Sequence, residues 1–221
     1  MTEYDLPPPP PGFVPFSADA ELVRTRRVLP HWHAAHVTQF VTFRLTDSLP
    51  QEKLREIADL RRRLLADGGG TEEARTEADR EVFRRYDRYL DAGLGACWLR
   101  DGRLAEVVAS AIRHFDGDRY NVGAFVVMPN HVHALIRPID RSLSRILESI
   151  KGFSARRINE AVGRTGRVWQ PESFDRIVRD VVALWRAVQY IGANPRRAGI
   201  DVLRWVSPAW VDCGWGFRDV D

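Results

Sequence analysis

The hexapeptide Met128-Pro129-Asn130-His131-Val132-His133 sets two histidines on either side of one apolar residue, just after a turn-forming tripeptide. In a strand, residues i and i+2 point to the same face. His131 and His133 therefore project side by side, while Val132, Ala134 and Ile136 point the other way. Two imidazoles at that separation can share one divalent metal. Further on, Tyr190-Ile191-Gly192-Ala193-Asn194-Pro195 offers a phenol and an amide at i and i+4. The pair of segments suggests a metal-assisted tyrosine nucleophile acting on a phosphodiester. A Mg²⁺ or Mn²⁺ ion held by few protein ligands keeps positions open for the scissile phosphate.

Each segment also has a plainer reading. An HxH on a strand is equally two surface histidines, or a fragment of an HxHxH nucleotide-hydrolase motif. Leu135 stands where the latter needs its third histidine. On a helix turning about 100° per residue, Val181, Leu184, Trp185, Val188 and Ile191 fall in one sector, which should face the core. Tyr190 falls nearly opposite, and Asn194 lies about 40° from it, one turn on. Periodicity alone allows Tyr190 to be an ordinary surface tyrosine.

The elements that must position these residues follow from pattern. Residues 37–45 (VTQFVTFRL) are β-branched and aromatic and predict a first strand, broken by Asp47-Ser48-Leu49-Pro50. Residues 51–66 predict a helix ending at Gly68-Gly69-Gly70. Thr71 is an N-cap, with Glu72 and Glu73 in the first turn of a second helix reaching about Leu90. The two make an inserted helical hairpin over 51–92. It carries Arg61-Arg62-Arg63, a solvated face or a DNA clamp. Asp101 caps a helix whose stripe is Leu104, Val107, Val108, Ala111, Ile112 and Phe115. Strands at 120–128 and 131–137 form a hairpin about Pro129-Asn130. A helix follows at 142–161, then a strand at 174–178. A final helix over 181–194 is expected to stop at Pro195. This order implies an α+β fold, an antiparallel sheet with helices packed on one face. The expected organisation is a flexible Pro-rich arm (1–30, with Pro7 to Pro11 in polyproline II form), a catalytic domain (31–200) and a tail (201–221).

Composition sets outer limits. At 221 residues the chain can bury a full core. Its 44% hydrophobic and 29% charged content is that of a soluble globular protein. Net charge is +3, and Lys53 and Lys151 are the only lysines among 33 basic residues. Arginine suits bidentate phosphate contacts, although a GC-rich genome gives the same bias. Cys97 and Cys213 form no CxxC, which excludes a zinc knuckle or disulfide framework and fits a reducing cytoplasm. No signal peptide and no membrane span are expected.

MPNHVHALI followed by YIGANPRRAGI resembles the HUH single-tyrosine transposases, and within them the REP-associated tyrosine transposases with a transposase IS-like domain. FVTFRL, GACWLRD and VWQPESFDRIVRD are further matching words, and the resemblance spans roughly residues 30–200. Arg196 departs from it, standing where a small apolar residue is usual, and the 51–92 hairpin belongs to a subgroup. The resemblance implies an RRM-like or ferredoxin-like antiparallel sheet, with His131 and His133 as metal ligands, Tyr190 as nucleophile and Asn194 as a third ligand. The implied substrate is single-stranded DNA, often beside a hairpin, and the enzyme a monomer or homodimer working in the cytoplasm on the nucleoid. Nicking would leave a 5′-phosphotyrosine and a free 3′-hydroxyl. Lys151, Phe153, Arg156 and Arg157 form a basic-aromatic group on the helix after the histidines, and Arg196 and Arg197 flank the tyrosine. All six are candidate DNA contacts. A domesticated hairpin binder that no longer cleaves, and a phosphohydrolase using activated water, are the rival readings.

Overall fold

A computed structural model describes residues 6–16, 23–26, 30–33 and 36–218. The elements in chain order are β1 (Val23–Arg26), β2 (Pro30–His33), β3 (Gln39–Arg44), α1 (Gln51–Asp67), α2 (Glu72–Asp91), α3 (Gly102–Arg113), β4 (Tyr120–Val127) and β5 (His131–Pro138). Then come α4 (Leu143–Ala161), β6 (Phe174–Ile177), α5 (Val181–Arg197), β7 (Arg204–Val206) and α6 (Pro208–Val211).

One sheet runs β1-β2-β6-β3-β5-β4-β7. From β6 to β7 every pairing is antiparallel; β2 joins β6 in parallel. Leaving out the α1–α2 insertion, the chain from β3 to β6 reads β-α-β-β-α-β, with its strands side by side as fourth, first, third, second. That is the ferredoxin-like split βαβ arrangement. The caps predicted from sequence, the Thr71 hydroxyl and the Asp101 carboxylate, are made, and Ser142 adds a third. Thr71 accepts from the Ala74 N–H, Asp101 from Arg103 and Ser142 from Arg145.

The sheet buries both faces. Val41, Phe43, Val132, Ala134 and Ile136 meet Leu104, Val108 and Ile112 of α3 and Ile146, Leu147 and Ile150 of α4. The alternate residues Phe40, Val126 and Leu135 face the opposite way, onto α5, the α1–α2 hairpin and the C-terminal segment. The second layer is what the sequence pattern did not foresee. It encloses the face that carries the histidines.

Three expectations are corrected. Helix α5 does not stop at Pro195 but runs through it to Arg197, closed by the Ala198 N–H on the Asn194 carbonyl. Proline lacks only the one donor that the preceding turn would use, and its ring packs among buried neighbours. Residues 6–16 are not a detached arm. Trp215 Nε1 donates to the Pro8 carbonyl at 2.7 Å and Trp210 Nε1 to that of Pro11 at 2.9 Å. Those buried tryptophans also show that residues 201–218 are no loose tail: β7 extends the sheet beside β4, and α6 seals its face. Gly123, at the bulge in β4, lets Trp210 in. A Cβ there would stand 2.1 Å from the indole.

Candidate active site

His131 opens β5 and His133 follows it on the same face. In the ladder they lie opposite Arg44 and Thr42 of β3. Both imidazoles are fully buried, and their Nε2 atoms stand 3.1 Å apart. Behind them the contacts set the tautomers. Asn130 Nδ2 donates to the Leu90 and Leu94 carbonyls at 3.2 and 3.0 Å, which turns its Oδ1 toward His131 Nδ1, 2.7 Å away. An amide oxygen only accepts, so His131 carries its proton on Nδ1 and presents a lone pair at Nε2. Burial, and then His133, hold the His131 pKa well below the usual imidazole value. His133 Nδ1 meets the Thr42 hydroxyl at 2.7 Å. A proton donated there leaves the second Nε2 lone pair free as well.

A third group comes from the insertion. Asp87 of α2 sets Oδ1 3.1 Å from His133 Nε2. Burial works to raise its pKa, but the closeness of His133 outweighs burial and brings it down to about 2. Oδ1 of Asp87 has no good hydrogen bond of its own, although it is buried. Two imidazole nitrogens and a carboxylate oxygen thus lie within 4.8 Å of one another. Such a borderline-to-hard donor set, with an orphaned carboxylate oxygen, fits a divalent cation such as Mg²⁺ or Mn²⁺.

Tyr190 stands over this group. Its ring is 5.4 Å from that of His133, 5.7 Å from Phe40 and 5.8 Å from Phe83. The helical wheel placed Tyr190 away from the main stripe of α5, and that remains true. The side is nevertheless covered, because α2 packs against it. The Tyr190 hydroxyl is buried without a well-formed hydrogen bond. Burial first, and Asp87 second, push its pKa well above the usual phenol value. The Arg197 guanidinium lies 4.4 Å over the phenol ring and 3.5 Å from Asp87 Oδ2. It counters the rise in part. Asn194, one turn beyond Tyr190, is fully buried with both amide atoms unpartnered.

The other candidate contacts are not in this place. Lys151, Phe153, Arg156 and Arg157 ride on α4, across the sheet from Tyr190. The Lys151 ammonium donates to the Gln170 and Pro171 carbonyls at 3.1 Å each, and Arg157 pairs with Glu160 at 2.9 Å. Phe153 and Arg156 are exposed, as is Arg196 beside the tyrosine's helix end. Arg61 and Arg62 pair with Asp79 and Asp59. Asp87 was missed, yet it left a signal. It is an acid set four residues after Phe83 and beside Tyr86, on the apolar stripe of α2.

Residues 100–194 match the sequence model of the family described as Transposase IS200 like. The matched stretch carries both histidines, Tyr190 and Asn194. Asp87 and Arg197 lie outside the match. Among solved structures, the chain is similar to a REP-associated tyrosine transposase bound to a REP hairpin. Identity is 19%, with 75% of this chain and 70% of that one covered, at a TM-score of 0.40. It is also similar to a Deinococcus radiodurans R1 protein described as a transposase candidate, at 16% identity, 72% and 90% coverage, and a TM-score of 0.34. No curated protein matches the chain.

Proposed function

We propose that the protein is a metal-dependent transposase-type nickase. It would cut single-stranded DNA beside a hairpin and transfer the strand through a 5′-phosphotyrosine on Tyr190. The observation that carries this reading is the convergence of His131, His133 and Asp87 beneath the Tyr190 ring. The histidines and Asp87 would hold the cation, with the Asn194 amide, unpartnered and on the same helix as Tyr190, as a further ligand. Bound there, a divalent ion supplies Lewis-acid polarisation of the phosphoryl oxygen.

The protein's own groups do the rest. The phenol must lose its proton to attack, and burial beside Asp87 opposes that in the resting protein. Arg197 over the ring favours the phenolate. The Oη–phosphorus bond forms as the bond from phosphorus to the 3′-oxygen breaks, and the departing oxygen takes up a proton as a 3′-hydroxyl. Phosphodiester is exchanged for phosphodiester, so the same hydroxyl, or another, can reverse the step. Asn130 and Thr42 keep the imidazoles oriented throughout.

The test is a covalent adduct. Wild-type protein with Mn²⁺ and a hairpin-flanked single strand should give a DNA-linked band on a denaturing gel, and Tyr190→Phe should give none while binding the DNA normally. Adduct from the phenylalanine variant, or undiminished wild-type cleavage in EDTA, refutes the reading. Hairpin binding with no nick under any metal would favour the domesticated binder.

A further inference from the structure

A cleft of about 740 Å³ opens beside Tyr190, between α2 of the inserted hairpin, β6 and the start of α5. Its volume is that of a ligand site. The wall formed by β6 and α5 carries Arg176, Arg179 and Arg186. None of these three has a carboxylate within ion-pair distance among the described residues. On the facing hairpin, by contrast, Arg61, Arg62, Arg80 and Arg84 are paired. Arg179 and Arg186 are exposed at the mouth. Arg176 lies deeper, its guanidinium 4.7 Å from the centroids of both Phe40 and Phe83, the rings that also flank Tyr190. Guanidinium groups outside ion-pair distance of any described carboxylate thus run from solvent to the tyrosine along one wall, which also holds Asp175 and the α5 cap Asp180. The facing wall comes from a segment outside the family match.

We propose that this cleft binds the unpaired nucleotides adjoining the scissile phosphodiester, with Arg179 and Arg186 on backbone phosphates and Arg176 at the inner end. The proposal rests on the nicking reading and adds the path of the strand to it. Unpaired arginines answer the charge of a phosphate backbone, and guanidinium planes also stack on bases. A cleft of this size takes a few unpaired nucleotides and not a duplex. The insertion would therefore form one side of the strand channel, and the α4 group on the far side of the sheet would have no part in it.

The experiment compares a DNA hairpin carrying a single-stranded flank with the same hairpin lacking the flank. The proteins are the full chain and Arg179→Ala/Arg186→Ala, both positions being exposed and free of hydrogen bonds to described residues. The double variant should bind the flanked DNA at least tenfold more weakly and the bare hairpin unchanged. Its slope of log affinity against log salt should be shallower by about 1.4, at roughly 0.7 per lost single-strand phosphate contact. Arg156→Ala/Arg157→Ala on α4 should leave both affinities alone. Equal affinity of the two proteins for flanked DNA, or equal weakening on both DNAs, overturns the proposal even where the wild type forms the tyrosine adduct. Selective loss on flanked DNA upholds it even where no adduct forms, in which case only the nicking reading fails.

Discussion

Asp87 can be separated from Tyr190 by what each removes. Asp87→Asn keeps size and deletes the charge facing His133, so Mn²⁺ affinity by calorimetry should fall at least tenfold. Asn130→Ala touches no cation, yet it frees His131 to turn or change tautomer, and should cost about 10–100-fold in the same titration. Tyr190→Phe should leave Mn²⁺ binding as it is. An Asp87→Asn protein that binds Mn²⁺ like the wild type would remove Asp87 from the ligand set. His131, His133, Tyr190 and Asn194 could be picked out from sequence because strand and helix periods put them at fixed angles. Asp87 could not be paired with them, because its distance to His133 is set by how the insertion folds back over the sheet, which no local spacing encodes.

The elements give separate tests. Lys151 ends its buried reach against two carbonyls, and burial brings its pKa down to about 8. A lysine with a depressed folded pKa binds fewer protons folded than unfolded between that value and about 10.5. Stability therefore rises with pH across the window from 8 to 10.5, by about 1–3 kcal/mol. Lys151→Met should flatten that rise in urea melts at pH 7.5 and 10. In β4, Gly123→Ala drives a methyl into the Trp210 indole and should cost about 1–3 kcal/mol, read as a lower urea midpoint. Strands β3, β4, β5 and β6 were legible because each carries its own apolar run. Strand β7 was not, since three residues with one exposed arginine hold their place only by pairing with β4. The run of α5 past Pro195 was hidden for a like reason: tertiary packing overrides the local preference against helix before proline.

At the scale of the molecule, both sheet faces are roofed, and the histidines sit under the roof that the insertion builds. A paired duplex cannot bring an unstacked phosphodiester to Tyr190 through a cleft of about 740 Å³. Cleavage should thus be confined to unpaired DNA, and a matched duplex should give less than about a tenth of the product in the same gel assay. Equal product from both would mean that the hairpin opens far more widely than its packing suggests. The α+β class was legible at this scale from the order of elements alone, whereas the second helical layer was not. Its contacts join residues far apart in the chain, and the helices forming it show their apolar stripes without saying which face of the sheet they will cover.

The clasp between the proline segment and the two C-terminal tryptophans sets a timetable for synthesis. Pro8 and Pro11 leave the ribosome some two hundred residues ahead of their partners Trp215 and Trp210. A contact spanning some two hundred residues cannot form until its far partner has been made. The same tryptophans close the layer over α5, the helix that bears Tyr190. A nascent chain held just short of Trp210 would have every strand from β1 to β7 and still lack the seal over its tyrosine helix. Completion of that layer waits for these two residues, and the indole fluorescence of Trp210 and Trp215 would mark the moment it closes.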